Sequence, residues 1–168
     1  AVDFWSRDNA RTPMQWSDGK NAGFTDGEPW IKVNQNYPEV NVERELRDDD
    51  SVLNYYRRLI ALRQSTPLMV YGHYVQLLDD HPEIYAYLRT PDDGSDYVES
   101  EQCGSEEYGS ARLLVVLNFF DGTPTFRLPD DVTCDRSERL VGNYGERADD
   151  SITEIELRPY EALVYRLV

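Results

Sequence analysis

Arg7 and Arg11 stand four residues apart in the string R-D-N-A-R-T-P-M-Q-W, which runs from Arg7 to Trp16. A guanidinium presents a fixed fork of donors suited to a polar ligand, and an indole such as Trp16 supplies a flat apolar wall. The same residues can also form an Arg–Asp pair through Asp8 that only fastens a loop, since ion pairs of that kind are common away from ligand sites. No amphipathic period fits the string. Thr12-Pro13 opposes a helix running through it, because the residue before a proline is pushed toward extended geometry. An ordered loop is expected.

The other reactive side chains offer less. Most carboxylates sit in turns and acidic runs, where solvation keeps them ordinary. Asp3 and Asp8, beside Phe4 and Trp5, have apolar neighbours but read better as partners for Arg7 or Arg11. Cys103 and Cys134 are far apart, and neither His73 nor His81 stands at ligand spacing to them. Both cysteines read as free thiols, with a single bridge left open. Pro91–Ser110 is hydrophilic and carries Asp92, Asp93, Asp96, Glu99, Glu101, Glu106 and Glu107. It reads as a mobile, solvated hairpin loop; a calcium loop is the alternative, but the spacing matches no EF-hand. No metal and no cofactor is expected.

These groups must be positioned by the elements around them. Arg7–Tyr37 is a long segment rich in Asp, Gly, Asn and Pro, expected to be ordered by burying Trp16, Phe24, Trp30 and Tyr37. Asp48–Asp50 and Ser51 then supply acids and a cap for a helix reaching about Arg63 or Gln64. Val52, Tyr55, Tyr56, Leu59, Ile60 and Leu62 mark its buried side, and Pro67 ends it. Beyond Pro67 the period alternates. Val70–Leu78, Ile84–Thr90, Arg112–Asn118, Thr125–Leu128, Arg139–Gly142, Ser151–Leu157 and Glu161–Leu167 read as strands. Asp79–Pro82, Asp121–Pro124 and Asn143–Gly145 look like hairpin connections, which suggests an antiparallel sandwich. The favoured boundary falls near Pro67, giving regions 1–66 and 67–168.

Several of these strings carry a resemblance. Arg7–Trp16, N-A-G-F at Asn21–Phe24, P-W-I at Pro29–Ile31, V-N at Val33–Asn34 and N-Y at Asn36–Tyr37 resemble a segment of the oligo-1,6-glucosidase/α-glucosidase branch of the α-amylase family of glycoside hydrolases. Asp50–Arg63 is similar to the last barrel helix of those enzymes. Val70–Gly72, Leu113–Phe119 and Leu157–Tyr165 are similar to parts of their C-terminal β-domain. The likeness covers nearly the whole chain apart from roughly Asp92–Ser110.

The resemblance implies an α+β chain: the last βα-loop and last helix of a (β/α)8 barrel, followed by an antiparallel β-sandwich. It implies a retaining, exo-acting α-glucosidase as the full-length parent, acting on terminal α-linked glucose of oligosaccharides. The family's nucleophilic Asp, acid/base Glu and assisting Asp lie on earlier strands, so no catalytic residue is expected here and the chain alone should be inactive. One role carries over. Arg11, the Arg of R-T-P-M, would line the closed end of the glucose pocket; Arg7 is the second choice. Met14, Trp16 and Phe24 read as loop core rather than sugar-stacking faces. R-T-P-M-Q-W is also similar to trehalose synthases and sucrose isomerases, which remain an alternative. So does a stand-alone carbohydrate-binding β-domain, whose exposed strand aromatics would be Tyr85 and Tyr87. A purely structural role is expected for Pro67–Val168. If Ala1–Arg63 packs on a missing barrel, then Val52, Tyr56, Leu59 and Ile60 lose their cover.

The charge bounds the partners. Of 168 residues, 32 are acids and 17 bases, a net charge of -15, and only Lys20 and Lys32 are lysines. Such a field repels nucleic acid and anionic lipid, so neither is expected as a partner. An acidic, lysine-poor surface suits concentrated salt, where repulsion among carboxylates is screened. An ordinary acidic cytosolic protein is the alternative. No apolar run approaches a membrane span and no signal-peptide pattern opens the chain, so a cytoplasmic location is expected.

Overall fold

The computed structural model describes residues 10–91, 111–147 and 151–168. It contains two compact units, Ala1–Ile60 and Ala61–Val168. The region of Asp3, Arg7 and Asp8, and the acidic stretch carrying Cys103, lie outside the described residues.

In the first unit the long loop is held by amides rather than by rings. Trp16 N and Ser17 N both donate to Ala22 O, at 2.8 and 3.1 Å. This closes a turn, Lys20–Gly23, in which Asn21, Ala22 and Gly23 are successively left-handed, with φ of 55°, 59° and 66°. Each residue of N-A-G-F fits its place. Asn tolerates this conformation, and its side-chain amide donates to Thr25 O and Gly27 O at 3.0 and 2.7 Å. Ala22 is completely buried, so a larger side chain has no room. A Cβ on Gly23 would lie 2.5 Å from Ser17 Oγ.

The Gln15 amide donates to Asn36 Oδ1 and Val40 O. Val42 N and Glu43 N donate back to Gln15 O and Trp16 O, each at 3.0 Å, docking the short helix α1 (Val42–Glu45). Asn41 caps α1 by accepting from Arg44 N and ties it to the loop by donating to Tyr37 O. The expectation of four buried rings is corrected: Trp16, Phe24 and Trp30 are exposed and Tyr37 is half-buried. A segment this polar satisfies its own backbone, so it needs no ring core.

Helix α2 spans Val52–Ser65. Ser51 Oγ accepts from Asn54 N and donates to Glu45 O, while the Asn54 amide donates to Glu45 O and Asp48 O. The helix start is therefore locked to the end of α1. Its apolar side is not buried. Val52, Tyr56 and Ile60 are 69%, 61% and 52% exposed, and no residue of α2 is fully buried. Their spacing of four still defines one stripe. The expectation of a buried side is corrected: the period marks an apolar stripe, but nothing among the described residues covers it.

The second unit opens with a helix that the alternation after Pro67 did not predict. Pro67–Tyr71 forms α3, with proline in its first turn, where a missing N–H costs nothing. Only at His73 does the chain turn extended, and Gly72 is needed there, because a Cβ would meet Leu68 O at 2.5 Å.

The strands are β1 (His73–Leu77), β2 (Ile84–Thr90), β3 (Arg112–Asn118), β4 (Thr125–Arg127), β5 (Ser137–Gly142), β6 (Glu154–Glu156) and β7 (Ala162–Leu167). Five form an antiparallel sheet in the order β1-β2-β3-β7-β5; β4 and β6 pair separately. Ile84, Ala86 and Leu88 of β2, Leu114 and Val116 of β3, and Leu163, Tyr165 and Leu167 of β7 bury one face of the large sheet. Phe126 of β4 and Ile155 of β6 enter the same core, so the two sheets share it. Cys134, a free thiol, packs against this core.

Of the three supposed hairpins only β1–β2 is one. The turns after β3 and β5 carry the chain elsewhere: β4 pairs with β6, and β5 with β7. Asn118 explains the first departure. Its amide donates to Gly122 O and Arg158 O, both at 2.9 Å, and its Oδ1 accepts from Phe120 N at 3.0 Å. The backbone is thereby turned out of the large sheet, in which β2 and β7 already occupy both edges of β3.

Candidate functional site

Arg11 lies at the start of the described loop, exposed, on the rim of a groove of about 290 Å3. Thr12, Pro13 and Met14 continue the wall on its own strand of chain; Phe24, Pro29, Trp30 and Ile31 form the opposite side. Three strings distant in sequence therefore converge on one hollow. The left-handed turn is the reason. It reverses the chain between Trp16 and Phe24, and its fixed hydrogen bonds set where Phe24 emerges. The Asn21 amide then holds Thr25 and Gly27, which leads the chain back through Pro29 and Trp30.

Trp30 is 88% exposed, the most open of the large apolar side chains among the described residues. The sequence reading placed it, with Met14 and Phe24, in the loop core; all three instead face the groove. The signal available was Pro29, which rigidifies the approach to Trp30 without offering anything to bury it. Trp16 is half-exposed and does not line this hollow. Arg7, the second candidate, lies outside the described residues, as do Asp3 and Asp8.

The groove's chemistry is specific in what it holds and lacks. It has one guanidinium, one hydroxyl from Thr12, and apolar or aromatic walls. No Asp, Glu or His is among its lining residues. It can hold a polar, uncharged ring by charged hydrogen bonds at an edge and by apolar contact at a face. Among the described residues that line it, no carboxylate or imidazole is present to act as acid or base. Across the same segment, Pro13, Met14 and Gln15 also border a larger, mainly apolar hollow of about 590 Å3 with Val40, Val52 and Tyr56, and Asn41 and Glu45 on its lining.

The remaining candidates take structural parts. His81 Nδ1 accepts from Glu83 N and Ile84 N, at 3.2 and 3.0 Å, closing the β1–β2 turn. Among the described residues, no cluster of His, Cys, Asp and Glu could hold a metal ion, and no helix is long and apolar enough to cross a membrane.

Residues 1–72 match the family model of the alpha-amylase catalytic domain. The chain is 46% identical to the oligo-1,6-glucosidase of Parageobacillus thermoglucosidasius over 166 residues, which are 99% of this chain and 26% of that protein. It is 40% identical to the trehalose-6-phosphate hydrolase of Bacillus subtilis over 162 residues, 96% of this chain and 26% of that one. Among solved structures, the trehalose-6-phosphate hydrolase of Bacillus licheniformis superposes with a TM-score of 0.79 at 37% identity, covering 97% of this chain and 26% of that one. The isomaltulose synthase of Klebsiella sp. LX3 gives 0.78 at 40% identity, with 96% and 26% covered. The chain is thus similar, over nearly all of its own length, to about a quarter of each of these enzymes, and its first 72 residues match the catalytic domain of the alpha-amylase family.

Proposed function

We propose that this chain is the C-terminal part of a retaining, exo-acting α-glucosidase of the α-amylase family, acting on terminal α-linked glucose of oligosaccharides. Residues 1–66 supply the last βα-loop and helix of the (β/α)8 barrel; residues 67–168 form an antiparallel β-sandwich. The observation that carries the reading is the convergence of Arg11, Met14, Phe24, Pro29 and Trp30 on one groove with no carboxylate among its described lining residues. A retaining glycosidase needs two carboxyl groups flanking the scissile bond, one as nucleophile and one as acid/base. Both come from the part of the enzyme that precedes this chain.

Arg11 holds the terminal glucose by its hydroxyls. A charged donor to a neutral hydroxyl contributes about 1.5–3 kcal/mol. An Arg at the closed end of a pocket leaves no room for a further sugar, so only a chain end enters. Arg7 is the second choice for that role. The exposed stripe Val52–Tyr56–Ile60 and the apolar hollow beside Met14 pack on barrel elements that precede the chain. The net charge of -15 with two lysines supports adaptation to concentrated salt.

The test is Arg11→Ala in the longer enzyme, assayed on a short α-glucoside in molar salt. A loss of about 1.5–3 kcal/mol in transition-state stabilisation is expected, read as kcat/KM. A near wild-type value removes Arg11 from the pocket. Turnover by the 168-residue chain alone would mean that a catalytic pair lies within it.

A further inference from the structure

Every main-chain N–H and C=O from Arg158 to Glu161, in the turn before β7, is hydrogen-bonded. Arg158 N donates to Glu161 Oε2 at 2.8 Å, and Arg158 O accepts from the Asn118 amide at 2.9 Å and from Glu161 N at 3.1 Å. Pro159, which has no N–H, accepts at its carbonyl from the Tyr144 hydroxyl at 2.7 Å. Tyr160 N donates to Phe120 O at 2.9 Å, and Tyr160 O accepts from the Asn143 amide at 2.8 Å. Asn118 N donates to Glu161 O at 2.8 Å. The segments that follow β3 and β5 thus hold this turn from both sides.

Within this frame Tyr160 is left-handed, with a φ of 54°. That conformation is strained for a bulky side chain and unstrained for glycine. Burial returns little of the strain, because Tyr160 is 60% exposed. Glycine would make every one of the same main-chain bonds at no such cost. What tyrosine adds here is an exposed aromatic face on a rigid backbone, and residues strained in this way concentrate where ligands are held.

A donor is fixed two residues away. The guanidinium carbon of Arg158 lies 5.0 Å from the centre of the Tyr144 ring, and its Nε is 3.7 Å from Glu161 Oε1. The Tyr144 ring that carries it is itself tied down through its hydroxyl. Phe120, exposed, adds a second ring where its carbonyl meets Tyr160 N.

We propose that Tyr160 and Arg158 form a site for a neutral gluco-oligosaccharide, in which Tyr160 covers the C–H face of one pyranose and Arg158 donates to its hydroxyls. An aromatic face matches the apolar side of such a ring, and a charged donor makes the stronger hydrogen bonds to hydroxyls. The choice of α-linked glucose rests on the reading above, which gives residues 67–168 no ligand of their own; the ring and the guanidinium stand without it. A nucleobase would also stack on Tyr160, but a chain of net charge -15 repels its phosphates. A small anion is disfavoured as well, because the Glu161 carboxylate already faces Arg158.

The experiment is titration of the 168-residue chain with maltotriose and with isomaltotriose, followed by its tyrosine ring signals in nuclear magnetic resonance. A saturable shift is expected, and Tyr160→Phe should keep it. Tyr160→Gly should weaken binding by about tenfold or more. Its melting temperature should stay close to the parent's, because relief of strain offsets the lost contacts. Tyr160→Asn, which also tolerates the left-handed region, repeats the comparison without loosening the turn. Arg158→Lys keeps the charge beside Glu161, loses the fork and should weaken binding too.

No saturable binding of either sugar overturns the proposal, as does equal affinity in Tyr160→Gly and Tyr160→Asn. Binding lost in Arg11→Ala but kept in Tyr160→Gly assigns the sugar to the groove of the first unit and equally overturns it. So does sugar-free line broadening that grows with protein concentration and vanishes in Tyr160→Gly, which assigns the ring to a second copy. Nitration of Tyr160 that proceeds in the chain but is blocked in the sugar-free longer protein shows the ring covered there, with the same consequence. Hydrolysis is assayed separately. A longer protein that cleaves an α-glucoside, while the chain binds neither sugar, loses this site and keeps the functional reading. One that cleaves none, while the chain binds through Tyr160, does the reverse.

Discussion

Arg147 Nη1 lies 2.8 Å from both carboxylate oxygens of Glu161, a side chain with no solvent exposure. Glu161 also accepts from Arg158 N at 2.8 Å, and Arg147 Nη2 donates to Glu156 O at 2.7 Å. The carboxylate thus ties β7, the turn before it and the segment after β5 into one network. Removing one member of a buried pair leaves an uncompensated charge and costs about 3–5 kcal/mol. Arg147→Met should fall near the lower end, because Arg158 retains its N–H bond and its guanidinium stands 3.7 Å away. Denaturant unfolding in molar salt measures this; a cost below about 1 kcal/mol would mean that water replaces the pair.

The left-handed turn yields a second prediction. Gly23 has a φ of +66° and would place a Cβ 2.5 Å from Ser17 Oγ, which is itself held by Gly19 N at 3.2 Å. Gly23→Ala should cost about 1–2 kcal/mol from the backbone alone, with the steric contact added. Adding Ser17→Ala should relieve the contact and leave the backbone part. Because the turn sets Phe24, the same substitution in the longer enzyme should raise KM more than it lowers kcat. Tryptic cleavage after Lys20, faster in Gly23→Ala than in the parent, reports the loosening directly; equal rates would show that the turn tolerates a side chain.

The sequence was most legible where one face of an element is buried within the chain itself. Ile84, Ala86 and Leu88 alternate with Tyr85 and Tyr87 along β2, whereas β3 is a continuous apolar run with Leu113–Val116 all buried, and both strands begin and end at the expected residues. It was least legible where the answer lies at long range. Nothing local to Gly122 or Asn143 says that β4 will pair with β6 or β5 with β7, because a turn residue shows that the chain bends and not what it meets next. Pro67 was read only as a stop, although proline favours a first helical turn as much as it opposes a last one. On α2, periodicity found the stripe at Val52, Tyr56 and Ile60, but no sequence period states whether a face is covered. For the groove, Arg11 was visible as a donor on a loop. Trp30 was not visible as its opposite wall, because the turn that brings them together depends on three consecutive left-handed residues.

Tyr74 provides a pH-dependent test. Its phenol is pushed up from 10.0 to about 12, chiefly by the hydrogen bond with Tyr85, then by desolvation and neighbouring negative charge. The folded state therefore keeps a proton that the unfolded state loses. This contribution to stability is complete below about pH 10 and disappears as pH rises through about 12. Ultraviolet titration of the 168-residue chain should show a phenol ionising late, and Tyr85→Phe should return it toward the ordinary range. An unchanged titration in Tyr85→Phe would mean that the hydroxyl pair does not exist in solution.

Salt dependence is the broadest prediction. Asp48, Asp49 and Asp50 are exposed in one run, as are the pairs Asp79–Asp80 and Asp130–Asp131. With a net charge of -15, such clusters repel one another in dilute buffer, where the Debye length is about 10 Å at 0.1 M salt. At 1 M it is about 3 Å, shorter than the distance between most surface charges, and the repulsion largely vanishes. The melting temperature should therefore climb between 0.1 and 2 M sodium chloride, by about 2–4 °C for each kcal/mol of repulsion screened. Chloride is the appropriate anion, because sulfate also strengthens apolar burial and would raise stability by a different route. Potassium chloride should reproduce the curve, since screening depends on ionic strength rather than on the cation. A melting temperature flat from 0.1 to 2 M would show that the acidic surface carries no net penalty, and the case for a salt-adapted protein would end there.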